Sequence, residues 1–269
     1  LRGILRVEKT IGNSSLSQDI ILDAQSEVLI FRTKMQWNEL HRLLKVNFPV
    51  NVYANEAINE IQFGYIKRPT HRSRQYDKDL LEVCGHRYTA LADESHGAAV
   101  LNNNKYGVNM RDNSINLTLL RAAASPVMRS DNGEQNFTYA FTGWNGTFKD
   151  SRVVQQGYEL NNGVILTEGG EKAESYLATD SQNIIIDTVK QAEDGSGDLI
   201  LRVYESRKAD TTVLLTTPLR CSAAWTCDLK EEVQQEIEIE KIKREDGEEI
   251  SRFRLHFRPF EIQTIRIRR

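Results

Sequence analysis

The chain has 269 residues, 39% hydrophobic and 27% charged, with 5 Pro and 16 Gly, a globular composition that excludes collagen-like, low-complexity and wholly disordered chains. At this length roughly three quarters of the unfolded surface can be buried, so a core needs no disulfide staples. Lys+Arg number 35 against 38 Asp+Glu, a net charge of −3, which argues against a nucleic-acid binder held by bulk charge.

No apolar run approaches the ~18 residues of a membrane-spanning helix, so an integral membrane protein is not expected. The three cysteines, Cys84, Cys221 and Cys227, are too sparse for a disulfide framework and suit a reducing cytoplasm. The chain opens inside a strand, Ile4 to Ile11, with no basic-then-apolar leader, as a piece of a longer protein would.

Period 2 dominates from there on. Ile115, Leu117 and Leu119 alternate with Asn116 and Thr118, and Phe137, Tyr139 and Phe141 repeat the pattern. Leu199/Leu201/Val203, Phe253/Leu255/Phe257 and Ile265/Ile267 do the same nearer the C-terminus. Each run reads as a strand with one buried face. Turn chemistry punctuates them at Asn132-Gly133, Asn162-Gly163, Gly195-Ser196-Gly197 and Asp246-Gly247, the last predicting a hairpin from Ile237–Ile242 into Phe253–Phe257. One short helix is expected within Asp150–Leu160, weakened by Gly157. Glu168–Gln182 reads as a polar loop. The expected class is all-β: one sandwich over residues 1–170, then a small sandwich over 171–269 of immunoglobulin-like size.

Chemistry-bearing residues are few. In Cys84-Gly85-His86 the outer two residues would share one face of a strand, giving a nucleophile or half a metal site; a small apolar cysteine on the buried side is the simpler expectation. His41, His71, His96 and His256 are scattered, and Cys221-x5-Cys227 is not a zinc-knuckle spacing. There is no nucleophile elbow and no phosphate-cradling glycine loop. The run Asn102-Asn103-Asn104 reads as a tight hairpin, and Arg68-Pro69-Thr70-His71 as a structural corner. Arg252, Arg254, Arg258, Arg266, Arg268 and Arg269 could form a polyanion site. Their alternation places them instead on solvent faces, neutralised by the acidic stretch Glu231–Glu240.

Several stretches, in one order along nearly the whole chain, are similar to the C-terminal β region of the family 38 α-mannosidases, in particular the cytosolic and bacterial branch. They are Leu43–Val50, Phe63-Gly64 with Arg68–His71, Glu82-Val83 with His86-Arg87, Val100–Asn102 with Lys105-Tyr106-Gly107, Leu119-Leu120-Arg121, and Phe257–Ile262. Tyr88 stands where that family usually has Trp, and Cys84-Gly85 replaces a commoner Pro-Ala-like pair.

The resemblance implies the later half of a galactose-mutarotase-like super-sandwich followed by the small sandwich. It implies a retaining exo-α-mannosidase in which two carboxylates and a zinc ion reside in an N-terminal catalytic domain that this chain does not include. No catalytic residue, metal ligand or cofactor is then expected in these 269 residues, which alone would be inactive. Their expected partners are the catalytic domain, a mannose-containing glycan and a second copy of the protein, in the cytoplasm, with no nucleic acid or membrane. Two cleft residues follow from the resemblance: Arg121, at the end of its strand, and Asp131, in an acidic glycine-containing loop. A free-standing carbohydrate-binding module is the alternative and would need Trp37, Trp144 or Trp225 as an exposed stacking platform.

Overall fold

The computed structural model describes residues 1–165, 168–169, 175–244 and 247–269. The chain divides into two compact units, Leu1–Val164 and Ile165–Arg269; the expected division after residue 170 falls outside the described residues. In the first unit the elements run β1 (Arg2–Ile11), β2 (Ser14–Asp23), β3 (Val28–Trp37), β4 (Arg42–Pro49), β5 (Glu56–Ile61) and β6 (Gly64–Pro69), then α1 (Gln75–Asp79). They continue as β7 (Val83–Cys84), β8 (Tyr88–Ala92), β9 (His96–Asn102), β10 (Gly107–Arg111), β11 (Ser114–Ala122), β12 (Gly133–Asn145) and α2 (Val153–Asn161). An eight-stranded sheet, ordered β1-β2-β3-β12-β9-β8-β5-β6, faces a four-stranded sheet ordered β4-β11-β10-β7.

The alternation explains the sandwich. Met35, Trp37, Phe137 and Tyr139 project from the large sheet, and Ile115, Leu117 and Val108 from the small one, into a single core. Aromatic rings close the gap: Phe31 stacks on Tyr139 with centroids 4.9 Å apart, and Phe48 of β4 on Phe141 of β12 at 5.1 Å. Such pairs favour one alignment of the two sheets beyond their simple burial.

The far side of the large sheet is covered over β8 and β9 by α2, whose Val153 and Val154 are buried. Gly157, unfavourable for an isolated helix, has a reason to be there: a Cβ at that position would lie 3.3 Å from the Arg87 Cβ, so glycine lets the helix approach β8.

The chain changes sheets twice, and both changes correct the sequence reading. The strand expected to run on through His86-Arg87-Tyr88 stops at Cys84 in the small sheet and restarts at Tyr88 in the large one. The Asn102–Asn104 run is the return crossing from β9 to β10, in different sheets, rather than a hairpin.

Buried polar groups hold both crossings. The carboxylate of Glu60, 2% exposed, accepts the Arg87 backbone N–H at 2.6 Å and its guanidinium at 2.9–3.0 Å. The guanidinium also lies 3.6 Å over the Tyr158 ring of α2. Asn102 donates to His86 O at 2.6 Å and accepts the Lys105 N–H at 2.9 Å. The Arg68–His71 corner is tied in the same manner, Thr70 Oγ1 donating to Ala54 O at 2.7 Å.

The second unit contains β13 (Ala178–Thr179), β14 (Ile184–Gln191), β15 (Leu199–Glu205), β16 (Thr211–Thr217), β17 (Ala223–Cys227), β18 (Val233–Glu236), β19 (Ile239–Lys243), β20 (Glu249–Phe257) and β21 (Ile262–Arg268). A sheet β13-β16-β20-β19 packs on a sheet β14-β15-β21-β17-β18 through Leu201, Val203, Val213, Leu215, Phe253 and Ile265. β13 lies inside the stretch read as loop: Thr216 and Leu215 of β16 supply the backbone partners that so short a strand needs. β19 and β20 pair as the predicted hairpin, although Asp246 of its turn lies outside the described residues.

Burial pushes the Glu60 carboxyl above its ordinary range, against the opposing attraction of Arg87. Removing the arginine alone therefore leaves a desolvated acid without its partner. Arg87→Met is expected to destabilise the fold by about 3 kcal/mol in denaturant unfolding.

Candidate functional site

β4 turns Leu44, Val46 and Phe48 into the core and Leu43, Lys45 and Asn47 outward. Backbone register sets these against β11: Asn47 opposite Asn116, Lys45 opposite Thr118, Leu43 opposite Arg121. Strict alternation from Ile115, Leu117 and Leu119 would send Arg121 inward. A β-bulge between Thr118 and Leu120 prevents this. It leaves Leu119 and Leu120 both buried, 5% and 1% exposed, and puts the Arg121 side chain on the outer face. Bulges re-aim side chains in this manner. Arg121 was also expected at a sheet edge, but β11 is an inner strand, flanked by β4 and β10. Its last residues project past the end of the β10 pairing, which stops at Val108–Leu117.

Beside Arg121 a polar row crosses all four strands. Glu82, just before β7, accepts hydrogen bonds from Lys45 Nζ on β4 and from Thr118 Oγ1 on β11. It reaches them over Gly107 of β10, where a Cβ would lie 3.3 Å from the Thr118 Cβ and 3.8 Å from Glu82 Oε1. Glycine thus leaves a notch that a carboxylate bridges. Burial raises the Glu82 carboxyl, but the hydrogen bonds from Lys45 and Thr118 outweigh it and hold the group below its ordinary range, with smaller help from the charges of Lys45 and Arg121.

Asp131 is brought to Arg121, though not side chain to side chain: its Oδ2 accepts the Arg121 backbone N–H at 2.7 Å. The loop 123–132 is pinned at its base. Asn132 donates to Glu39 O at 3.0 Å and Gln135 to Asp131 O at 2.9 Å, and buried Glu39 in turn accepts the Asn13 N–H at 2.6 Å. The tip, Val127 and Met128, is 61% and 68% exposed. The result is an anchored, projecting loop beside an outward arginine.

The other candidates separate. Cys84 is exposed, not buried as expected, because β7 ends there and the chain leaves the small sheet. His86 rests against the Tyr106 ring, centroids 5.5 Å apart, so no strand places the two on one face. Among the described residues no three His, Cys, Asp or Glu side chains converge as a metal would require; the chain's residues do not fit the zinc that the resemblance implies, and no chemical step is derived through it. Trp37 is buried, Trp144 is half-buried with Nε1 donating to Thr147 O at 3.0 Å, and half-buried Trp225 lies 4.9 Å from the Arg268 guanidinium. None of these three offers the open platform of a binding module.

The C-terminal arginines are largely paired, but with different acids from those expected. Arg266 bonds Asp198 and Asp194, each at 2.7 Å, Arg258 pairs with Glu261 at 3.1 Å, and only Arg252 finds the acidic stretch, Glu240 at 3.7 Å. Register explains this: Arg266 on β21 sits opposite Ile200, beside the turn that carries Asp194 and Asp198.

Sequence reasoning missed the Glu82–Thr118–Lys45 row. Its signal was present in Lys45 and Asn47 alternating with apolar neighbours, but the strand order β7-β10-β11-β4 had to be known before Glu82 could join them.

Two family profiles match the chain: the glycosyl hydrolases family 38 C-terminal domain over residues 1–129 and the family 38 C-terminal beta sandwich domain over residues 183–265. The chain belongs to the C-terminal region of glycosyl hydrolase family 38. Alpha-mannosidase 2C1 of Mus musculus is 34% identical over 259 residues, 94% of this chain and 24% of that protein. Alpha-mannosidase G of Dictyostelium discoideum is 36% identical over 265 residues, 95% and 24% of the respective chains. A solved alpha-mannosidase structure from Enterococcus faecalis V583 shares the fold, with a TM-score of 0.75 at 18% identity, over 95% of this chain and 29% of that one. This family 38 region therefore spans about a quarter of the length of the curated relatives it matches.

The Glu82 bridge has a pH signature. A carboxyl lowered by folding contributes stability that is present above its unfolded pKa, ~4.3, and is lost as pH falls through the folded value. The stability difference between the native protein and Glu82→Gln is expected to be full at pH 7, to shrink below about pH 4, and to vanish in more acid solution; urea titrations across that range would measure it. A difference constant with pH would show that Glu82 acts by shape alone.

Proposed function

We propose that this chain is the non-catalytic C-terminal β portion of a cytoplasmic, retaining exo-α-mannosidase. It buttresses a catalytic domain that holds the carboxylate pair and the zinc, and it completes one wall of the glycan cleft. Arg121 is the residue offered to the mannose-containing glycan or to a catalytic carboxylate, with the 123–132 loop beside it. Contacts between copies of the protein fall to other surfaces of the same β region.

One observation carries this reading: in a chain whose relatives are named alpha-mannosidases, a bulge turns Arg121 out of the core beside an anchored loop, with its guanidinium uncommitted to any acid among the described residues. A guanidinium is a planar fork of donors suited to vicinal hydroxyls or a carboxylate. Asp131 has a supporting part, holding the backbone from which Arg121 projects.

In the full-length protein, Arg121→Ala is expected to lower kcat/KM for an aryl α-mannoside at least about tenfold, roughly 1.4 kcal/mol of transition-state binding. Unfolding stability should stay within ~0.5 kcal/mol, as for an ordinary surface substitution. Unchanged kinetics would return Arg121 to the solvated surface. A full-length protein that turns over no α-mannoside would overturn the assignment of activity itself.

A further inference from the structure

The outer face of the large sheet, on the other side of the sandwich from Arg121, carries a second ordered array. α2 covers β8 and β9, while β1, β2, β3 and β12 present open polar rows. Register aligns Arg6, Asp19, Arg32 and Thr138 across the four strands, and two residues along, Glu8, Ser17, Lys34 and Asn136. Two adjoining grooves of about 450 and 580 Å³ lie over these rows and share Ser17 and Lys34, each within the ~300–1,000 Å³ usual for small-ligand sites.

Within the groove some groups are already occupied. Arg6 grips both oxygens of Asp19 at 2.7 and 3.0 Å, and Lys34 pairs with Glu134 at 3.3 Å. Others are not. Arg32 makes no hydrogen bond or ion pair among the described residues, nor do the side-chain hydroxyls of Ser17 and Thr138. Asn103 uses its carbonyl oxygen, accepting the Thr138 N–H at 3.1 Å, and keeps its amide nitrogen. The cations Arg6, Arg32 and Lys34 are balanced by Glu8, Asp19 and Glu134, so the groove has little field to attract an anion. The next row along is apolar: Ile4, Ile21, Ile30 and Ala140 stand in register, with Ile4 58% exposed. Hydroxyl, amide and guanidinium donors beside an apolar strip, at near-zero net charge, match a neutral polyhydroxylated chain, which offers hydroxyls on its edges and C–H groups on its faces.

We infer that this groove binds a neutral oligosaccharide, with Arg32 as its central donor. The inference stands independently of the Arg121 reading, since it uses a different face and different residues.

The test is titration of the full-length protein with a sulfur-linked α-mannotriose, which resists hydrolysis, while hydrogen exchange maps the protected segments. The expected result is protection of β2, β3 and β12, with Arg32→Ala and Ser17→Leu each weakening that binding by about tenfold, as loss of a charge-assisted contact or of access would. Protection confined to other segments, or affinity unchanged in both variants, overturns the inference. So does binding of a heparin tetrasaccharide in preference to the triose, which would mark an anion site. A face covered by another part of the full-length protein would reveal itself as Ser17→Cys, in a Cys84→Ser background, failing to react with a maleimide, and that too overturns it.

Discussion

The buried carboxylate of Glu60 is the point on which the first sandwich turns. The chain passes from the small sheet to the large one between Cys84 and Tyr88, and a backbone that leaves one ladder before joining another carries N–H and C=O groups with no strand partner. Glu60 takes the Arg87 N–H and guanidinium, its own carbonyl takes the His86 N–H at 3.1 Å, and Asn102 satisfies the His86 carbonyl. Asn161 of α2 then donates to Asn102 O at 3.0 Å, tying the helix to the same knot. Burying an acid is unfavourable in itself. It is tolerable here because every added hydrogen bond comes from a group that the crossing would otherwise leave bare.

The polar face of the small sheet depends on that knot. Because the crossing occurs after Cys84, β7 has only two residues and pairs with β10 at Gly107 and Val108. This brings Glu82 to the edge of the notch above Gly107, from which it reaches Thr118 and Lys45. The bulge one step further along β11 then decides the direction of Arg121. An aromatic- and leucine-lined core on one side and a charged, bridged row on the other make this sheet a rigid wall with one mobile cation at its end. Such a surface suits support and positioning. Nothing in it resembles the paired acids of a glycosidase.

The second sandwich resolves its charges internally. Asp194 and Asp198 occupy the β14–β15 turn, where hydrogen bonds from Ser196 and then Arg266 hold Asp194 well below the usual carboxylate range. Arg266 is thereby anchored flat on the sheet, its side chain only 11% exposed, and Arg268 is drawn over Trp225. A C-terminus that is strongly basic in sequence is close to neutral in space.

Much of this protein was determined by sequence alone. Period-2 alternation in Phe137–Phe141, Phe253–Phe257 and Ile265–Ile267 established the strands and their buried faces, since a side chain on a pleated strand has only two directions to point. The order of short matching stretches from Leu43 to Ile262 carried the family. What alternation cannot supply is which strand lies beside which, or where alternation itself fails. Cys84 was misplaced because a two-residue strand has no readable period. The Asn102–Asn104 run looked like a hairpin because turn residues report a tight bend and not its destination. The acids that meet Arg266 are some 70 residues away in the chain and adjacent only through the β15–β21 register. Arg121 was legible as a candidate, but its outward direction came from the bulge at Thr118, a one-residue slip that reverses every side chain beyond it and that only packing against β4 could select.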